Sequence, residues 1–457
     1  MIANAAEIRK FTILSWGWLT IIFGLVWAVS WLVGVAIPLL LANVQADWAR
    51  LVTEICQVLT PLVAVMVFIP INAMFMVLAE RRALALFTVR KGPNRVGPDG
   101  FLQTLADALK LLFKEDITPR GADAFMFTLA PIIFFAPSIF GALPLLAAVT
   151  NNHNLFQVVN LPTGIFYVLA VSSVPVVGIV MGGWASNNKY SLVGALRSAA
   201  QAISYEIPLV LSIITVCLMA GTLDVVKIAE MQKGGLLNWN ILGGGALSGL
   251  NKYFQALAAG QADAHQMLSQ YYPDWGSVIA TVVLIACTVL LVGIYLTGAC
   301  AEINRIPFDL PEAESELVSG YNTEYSGIKF AIFFLAEFTN LFIVSTIATV
   351  MFLGGGDCPL PDWLNPLTNP AVTQPVGKFF SFFTDRIHLI DPSTFFPAIW
   401  VIIKVYALVF FAILVRGTLP RFRIDQLMAF GWKRLVPLSL IIFVLVTFAK
   451  GAVRLHV

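Results

Sequence analysis

The chain has 457 residues, of which 58% are hydrophobic and only 12% charged, with a mean hydropathy of +0.84. A soluble globule carries about a quarter charged residues, so that class is excluded. The apolar runs are continuous rather than alternating, which argues against a membrane barrel, and a net charge of +2 says less than its distribution along the chain.

In chain order, hydropathy predicts about nine spans near 11–41, 57–79, 125–148, 161–184, 203–222, 277–299, 328–353, 395–415 and 434–452. Each approaches or exceeds the roughly 20 residues that cross a bilayer core. The fold class is therefore all-α, a polytopic membrane helix bundle. The first run follows Arg9 and Lys10, and Val44-Gln45-Ala46 resembles a cleavage site. The run is too long for a signal-peptide core, so it reads as an uncleaved span.

Leu102, Leu105, Leu109 and Leu112 recur at helical spacing while Gln103, Asp107, Lys110 and Lys114 face elsewhere. That pattern predicts an amphipathic helix over 101–114 lying on the inner surface. Two long outer loops, 224–276 and 354–394, are each expected to hold a short interfacial helix, near Tyr253–Leu257 and Phe379–Phe383. With the N-terminus inside, the inner loops collect most of the Lys and Arg, including Arg81, Arg82, Arg90, Lys91, Arg305, Arg416 and Arg421. No internal repeat is visible, which weakens a reading as an inverted-repeat transporter.

The chemistry lies in a few ionisable residues. Glu206, Glu337 and Lys404 sit in or at the edge of apolar spans. An ionised group at mid-bilayer costs about 2.5–3.5 kcal/mol on insertion scales, so each should face the bundle interior. They are either structural ion pairs that fix helix register or members of a proton relay. Six acids, Glu302, Asp309, Glu312, Glu314, Glu316 and Glu324, crowd the polar gap before the next span. Glu312 and Glu316 would share a helix face if Pro311 starts a turn, and like charges that close raise the pKa of one of them. Arg305 is the only cation in that stretch before Lys329. The gap reads as a proton-exchanging loop, a docking surface for another subunit, or both. Glu80 beside Arg81 and Arg82 suggests a fixed ion pair at a helix end, in a turn-rich basic segment that otherwise reads as an inside anchor.

The cysteines Cys56, Cys217, Cys287, Cys300 and Cys358 form no C-x-x-C pair, and the four histidines lie far apart. No haem, iron–sulfur, zinc or other metal site is expected. The Gly-Gly-Gly runs at 243–245 and 354–356 follow no strand and open no helix, so no dinucleotide loop is expected either.

Four strings carry a resemblance: ERRALALFTVRKGPNRVGPDGFLQTLADALKLLFKEDITP, GWASNNKYSLVGALRSAAQAISYE, AEINRIPFDLPEAESELVSGYNTEYSGIKFAIFFLAEFTN and LPRFRIDQLMAFGWKRLVPLSL. Together they resemble the H subunit family of NADH:quinone oxidoreductase, the heel of respiratory complex I, from about Pro61 to Thr447. The resemblance implies a quinone chamber between this chain and a peripheral arm, with Arg81, Arg90, Lys91, Asp107 and Lys110 lining or gating it. Glu302, Arg305, Asp309, Glu312, Glu314 and Glu316 would form the acidic loop beneath, and Glu206 and Glu337 would continue a charged proton path. Glu80, Arg305 and Lys404 would serve structure and coupling.

The implied activity is that of a non-autonomous component of a proton-translocating oxidoreductase. Quinone, ubiquinone or menaquinone, would be the substrate, with iron–sulfur clusters, FMN and NADH held by partner subunits. Peripheral-arm subunits would dock on the inner face and antiporter-like subunits laterally, with lipid around and no nucleic acid. The expected location is a bacterial inner membrane, with the N-terminus cytoplasmic. Residues 1–56 depart from the family pattern and read as an additional N-terminal transmembrane helix and outer loop before a 57–457 family domain. Two other readings stay open: the homologous membrane component of an energy-converting hydrogenase-type complex, and an independent ion-coupled carrier.

Overall fold

The structure, a computed structural model, describes residues 47–150, 161–258, 275–309, 319–360 and 392–455, together with eight isolated positions between Gly17 and Val33. The expected first span at 11–41, the turn at Pro311 and the helix near Phe379–Phe383 fall largely or wholly outside the described residues. So do all four histidines. Among the described residues there is no strand, and eight helical segments are long and apolar enough to cross a membrane. They correspond to the second through ninth predicted spans. The chain is an all-α, multi-pass membrane bundle.

The helices are α1 (Asp47–Phe87), α2 (Gln103–Leu112), α3 (Ala124–Thr150), α4 (Gly164–Ser173), α5 (Pro175–Ala185) and α6 (Lys189–Ala220). They continue as α7 (Val225–Met231), α8 (Ser248–Ala258), α9 (Trp275–Glu302), α10 (Gly327–Phe352), α11 (Pro392–Thr418), α12 (Ile424–Phe430) and α13 (Val436–Leu455). The loops after α1, α5, α9 and α11 gather at one end of the bundle, here called the basic end. The opposite end is the far end.

α1 begins ten residues earlier than hydropathy suggested, because Asp47–Gln57 contains neither Gly nor Pro and simply propagates the helix outward. Its 41 residues make a rod of roughly 60 Å, about twice the hydrocarbon thickness. Val65, Ile69, Ala73 and Met76 form its buried stripe at intervals of four and three. The same stripe continues into Glu80, so helical periodicity alone delivers that carboxylate to the interior.

The predicted 161–184 span is two helices. Pro175 has no amide hydrogen to donate and starts α5 afresh after α4 ends at Ser173. α5 lies close against α3, where a Cβ on Gly178 would stand 2.8 Å from the Phe134 nitrogen. α6 is well punctuated: the Asn188 side chain accepts from the Tyr190 amide 2.9 Å away, and Gly221 closes the helix at φ 73°.

α10 packs on α3, α11 and α1, and α9 packs on α6 and α13. One continuous core runs through both groups, from Val65 and Ile69 through Tyr205, Leu291 and Tyr295 to Val350 and Val405. α2 and α8 are the amphipathic helices expected near 101–114 and 253–257.

Candidate functional site: buried carboxylates and their cations

At the basic end, Glu80 is buried and clasped by two arginines from distant parts of the chain. Arg305 Nη1 lies 3.1 Å from Glu80 Oε2, and Arg416 Nη1 bonds Glu80 Oε1. The ion pair that sequence suggested does exist, but its cations come from beyond α9 and from the last turn of α11, not from adjacent Arg81 and Arg82. Arg305 also lies over the Phe338 ring, 4.2 Å from its centroid. Asp309, likewise buried, meets Arg421 Nη2 at 3.0 Å. Arg305 is thus not the acidic segment's sole cation, as its local sequence implied, because the turn between α11 and α12 folds over it.

The same segment is tied to α6. Gln201 Nε2 donates to Ala301 O at 2.8 Å and Phe308 O at 2.7 Å, while Asn304 Nδ2 donates to Ser198 Oγ at 3.2 Å. Glu324 accepts from Asn188 Nδ2 at 2.6 Å. Glu312, Glu314 and Glu316 lie outside the described residues.

The residues assigned to a quinone chamber lie on the surface of this end. Arg81 and Asp107 pair at 2.5 Å, fastening α2 to α1, and Gln103 Nε2 supports Asp107 at 3.2 Å. Arg90, Lys91 and Lys110 are exposed. Leu102, Leu105, Leu109 and Leu112, the apolar face of α2, are exposed too, each at 40% or more.

Glu206, on α6, and Glu302, on α9, are each half-buried. Ser173 Oγ, at the end of α4 beside the proline break, lies 2.5 Å from Glu206 Oε1. Glu302 is the last residue of α9 rather than a loop residue, and it lines a cavity with ≈ 40 Å³ of room for water. The cavity also touches Ser138, Ser172, Tyr295 and Asn340, and Ser138 Oγ lies 2.6 Å from Asn340 Oδ1. A space needs only about 10–15 Å³ of this kind to hold one water, given polar partners. Glu337, one helical turn before Asn340 on α10, is buried and accepts from Tyr321 Oη at 2.8 Å.

Lys404 stands apart from this group. Its ammonium donates to Leu353 O at 2.6 Å, Gly355 O at 3.0 Å and Asp357 O at 2.6 Å. The Trp239 ring lies 4.0 Å away. A cation among the carbonyls that follow a helix C-terminus complements the helix dipole, so Lys404 caps α10 at the far end.

Sequence reasoning did not assign Arg416, Arg421, Tyr321, Ser173, Ser138 or Asn340 to the site. The arginines had counted only as topology cations, and the hydroxyls and amide carry no charge to stand out in an apolar span. All five cysteines are free, and among the described residues no group of His, Cys, Asp and Glu could hold a metal ion.

The model of one protein family, described as NADH dehydrogenase, matches residues 60–447. Among curated relatives, the second of the NADH-quinone oxidoreductase H subunits of Koribacter versatilis is 38% identical over 393 residues, spanning 83% of this chain and 92% of the relative. The H subunit of the same enzyme from Dehalococcoides mccartyi strain CBDB1 is 39% identical over 394 residues, or 86% of each chain. That of Chlorobium luteolum is 38% identical over 419 residues, covering 90% of this chain and 95% of the relative.

Proposed function

Because the chain belongs to the H subunit family of NADH-quinone oxidoreductases, we propose that it walls the membrane side of a quinone chamber and couples quinone reduction to proton movement. The reaction would belong to the whole assembly, with NADH, FMN and iron–sulfur clusters in partner subunits. In this reading the basic end faces the bacterial cytoplasm, the N-terminus lies on that side, and the chain sits in the inner membrane. Peripheral-arm subunits cover the basic end, antiporter-like subunits flank the bundle, and residues 1–56 add an N-terminal helix to the family domain.

Arg81, Arg90, Lys91, Asp107 and Lys110 would line the chamber, beside the apolar face of α2, which suits an isoprenoid tail. Reducing a quinone and protonating it changes the local charge by one or two units. In a medium of low effective dielectric, that change moves the proton equilibria of nearby carboxyls. Glu312, Glu314 and Glu316 would exchange protons with the chamber, while Asp309, Arg421, Glu80, Arg305 and Arg416 hold the frame. Protons would then pass through Glu302 and Glu206 to Glu337.

The observation that carries this reading is the water-sized cavity joining Glu302 to Asn340, one turn from Glu337. The test is the purified assembly in vesicles carrying Glu302→Gln. Loss of quinone-linked proton uptake, with a folded complex, is the expected result. Wild-type uptake would remove Glu302 from the path, and an assembly that reduces no quinone would refute the chamber.

A further inference from the structure

We propose that Tyr321 is a positioning residue for the proton step at Glu337, holding that carboxyl in place from the arm that leads out of the acidic loop. The inference rests on the reading above, in which Glu337 carries protons, and adds a residue that sequence reasoning passed over.

Tyr321 is fully buried and sits in a short 3₁₀ turn, Gly320–Asn322, only five residues beyond Glu316. Its hydroxyl donates to Glu337 Oε1 at 2.8 Å, across sixteen positions of chain. The donor therefore rides on the loop, and the acceptor on a packed transmembrane helix.

The turn is fixed in several ways at once. Gly320 adopts φ 61° and presses on α6, where a Cβ on Gly194 would come within 2.8 Å of the Gly320 Cα. A side chain at Gly194 would force the two backbones apart. The Tyr321 ring meets Phe333 edge-on at 5.5 Å, and Phe134 lies beyond at 6.4 Å. Thr323 Oγ1 closes the turn on Gly320 O at 2.7 Å, and Tyr325 stacks on Phe127 at 4.0 Å. A frame this constrained places one hydroxyl rather than a wandering side chain.

A hydrogen bond to a carboxylate favours its charged form. When Glu337 takes a proton, the phenol keeps its own and remains bonded to a neutral carboxyl. In the reading above, Glu337 receives its proton by way of Glu206 and passes it on from the same carboxyl, so Tyr321 neither gains nor loses one.

The test uses the whole assembly reconstituted in vesicles, with Tyr321→Phe, Glu337→Gln and the double variant beside wild type. The expected result for Tyr321→Phe is a loss of protons moved per quinone reduced, and the double variant should lose no more than Glu337→Gln. A wild-type ratio in Tyr321→Phe, or a further loss in the double variant, overturns the proposal. A wild-type ratio in Glu337→Gln instead refutes the proton role of Glu337 itself, and the inference falls with it. Should Tyr321→Phe not assemble, infrared spectra of assemblies with ring-labelled tyrosine decide. A phenol C–O band that shifts in Glu337→Gln supports the bond, and an unshifted one overturns it.

Discussion

Arg305 reaches Glu80 across 225 positions of chain, and the two side chains are almost entirely removed from solvent. Arg416 closes on the same carboxylate from α11. A single carboxyl thus ties together α1, the segment after α9 and the end of α11.

Breaking this knot from its centre should be costly. Glu80→Ala leaves Arg305 and Arg416 without their carboxylate, and losing one partner of a buried pair costs about 3–5 kcal/mol. The expected outcome is a marked drop in the thermal midpoint of the assembly, or failure to accumulate, read by thermal denaturation in detergent and by immunoblot of membranes.

The Arg81–Asp107 pair provides a contrast. Its side chains are 46% and 35% exposed, and such pairs contribute only about 0–1 kcal/mol. Asp107→Ala should leave the thermal midpoint nearly unchanged while raising the quinone concentration for half-maximal rate, because α2 is less firmly held. Steady-state kinetics with a soluble quinone would check it.

How far the sequence reaches is visible in these two pairs. Arg81 and Asp107 are both polar residues of one basic, amphipathic stretch, and composition with helical spacing finds them. Glu80 was legible as an ion-paired residue, yet its true partners are hundreds of positions away, and nothing local encodes that meeting. Asp309 and Arg421 meet across 112 positions, and nothing local encodes that either. Glu206, Glu337 and Lys404 were visible because charge is expensive in an apolar span. Their neutral partners, Ser173, Tyr321 and a row of carbonyls, were invisible because they cost nothing to place there. The eight spans were readable from hydropathy. The break at Pro175 and the early start of α1 were not, because hydropathy averages across both.

Lys404→Met should test the cap at the far end. Removing the ammonium abandons three carbonyl acceptors, and one hydrogen bond to a charged group is worth about 1.5–3 kcal/mol. The expectation is a less stable assembly whose surviving fraction keeps its wild-type ratio of protons to quinone. A lost ratio in a fully stable assembly would return Lys404 to the proton path.

The cavity makes a separate prediction. In a Ser138→Ala/Asn340→Leu double variant, both partners of a part-buried hydrogen bond become apolar, which is close to neutral for stability. The space left would offer water fewer polar partners, with Ser172, Tyr295 and Glu302 still lining it. Proton movement should therefore fall although the fold and the quinone chamber are intact, as measured by a pH-sensitive dye in vesicles.

α10 is anchored near its middle, by the Tyr321 hydroxyl on Glu337, and at its far end, by the Lys404 ammonium on the carbonyls beyond Phe352. A piston stroke along its axis would tear one fastening or the other, and a one-turn slide would tear both. In the proposed reading, what passes along this rod is therefore a redistribution of charge within a stationary scaffold rather than a push.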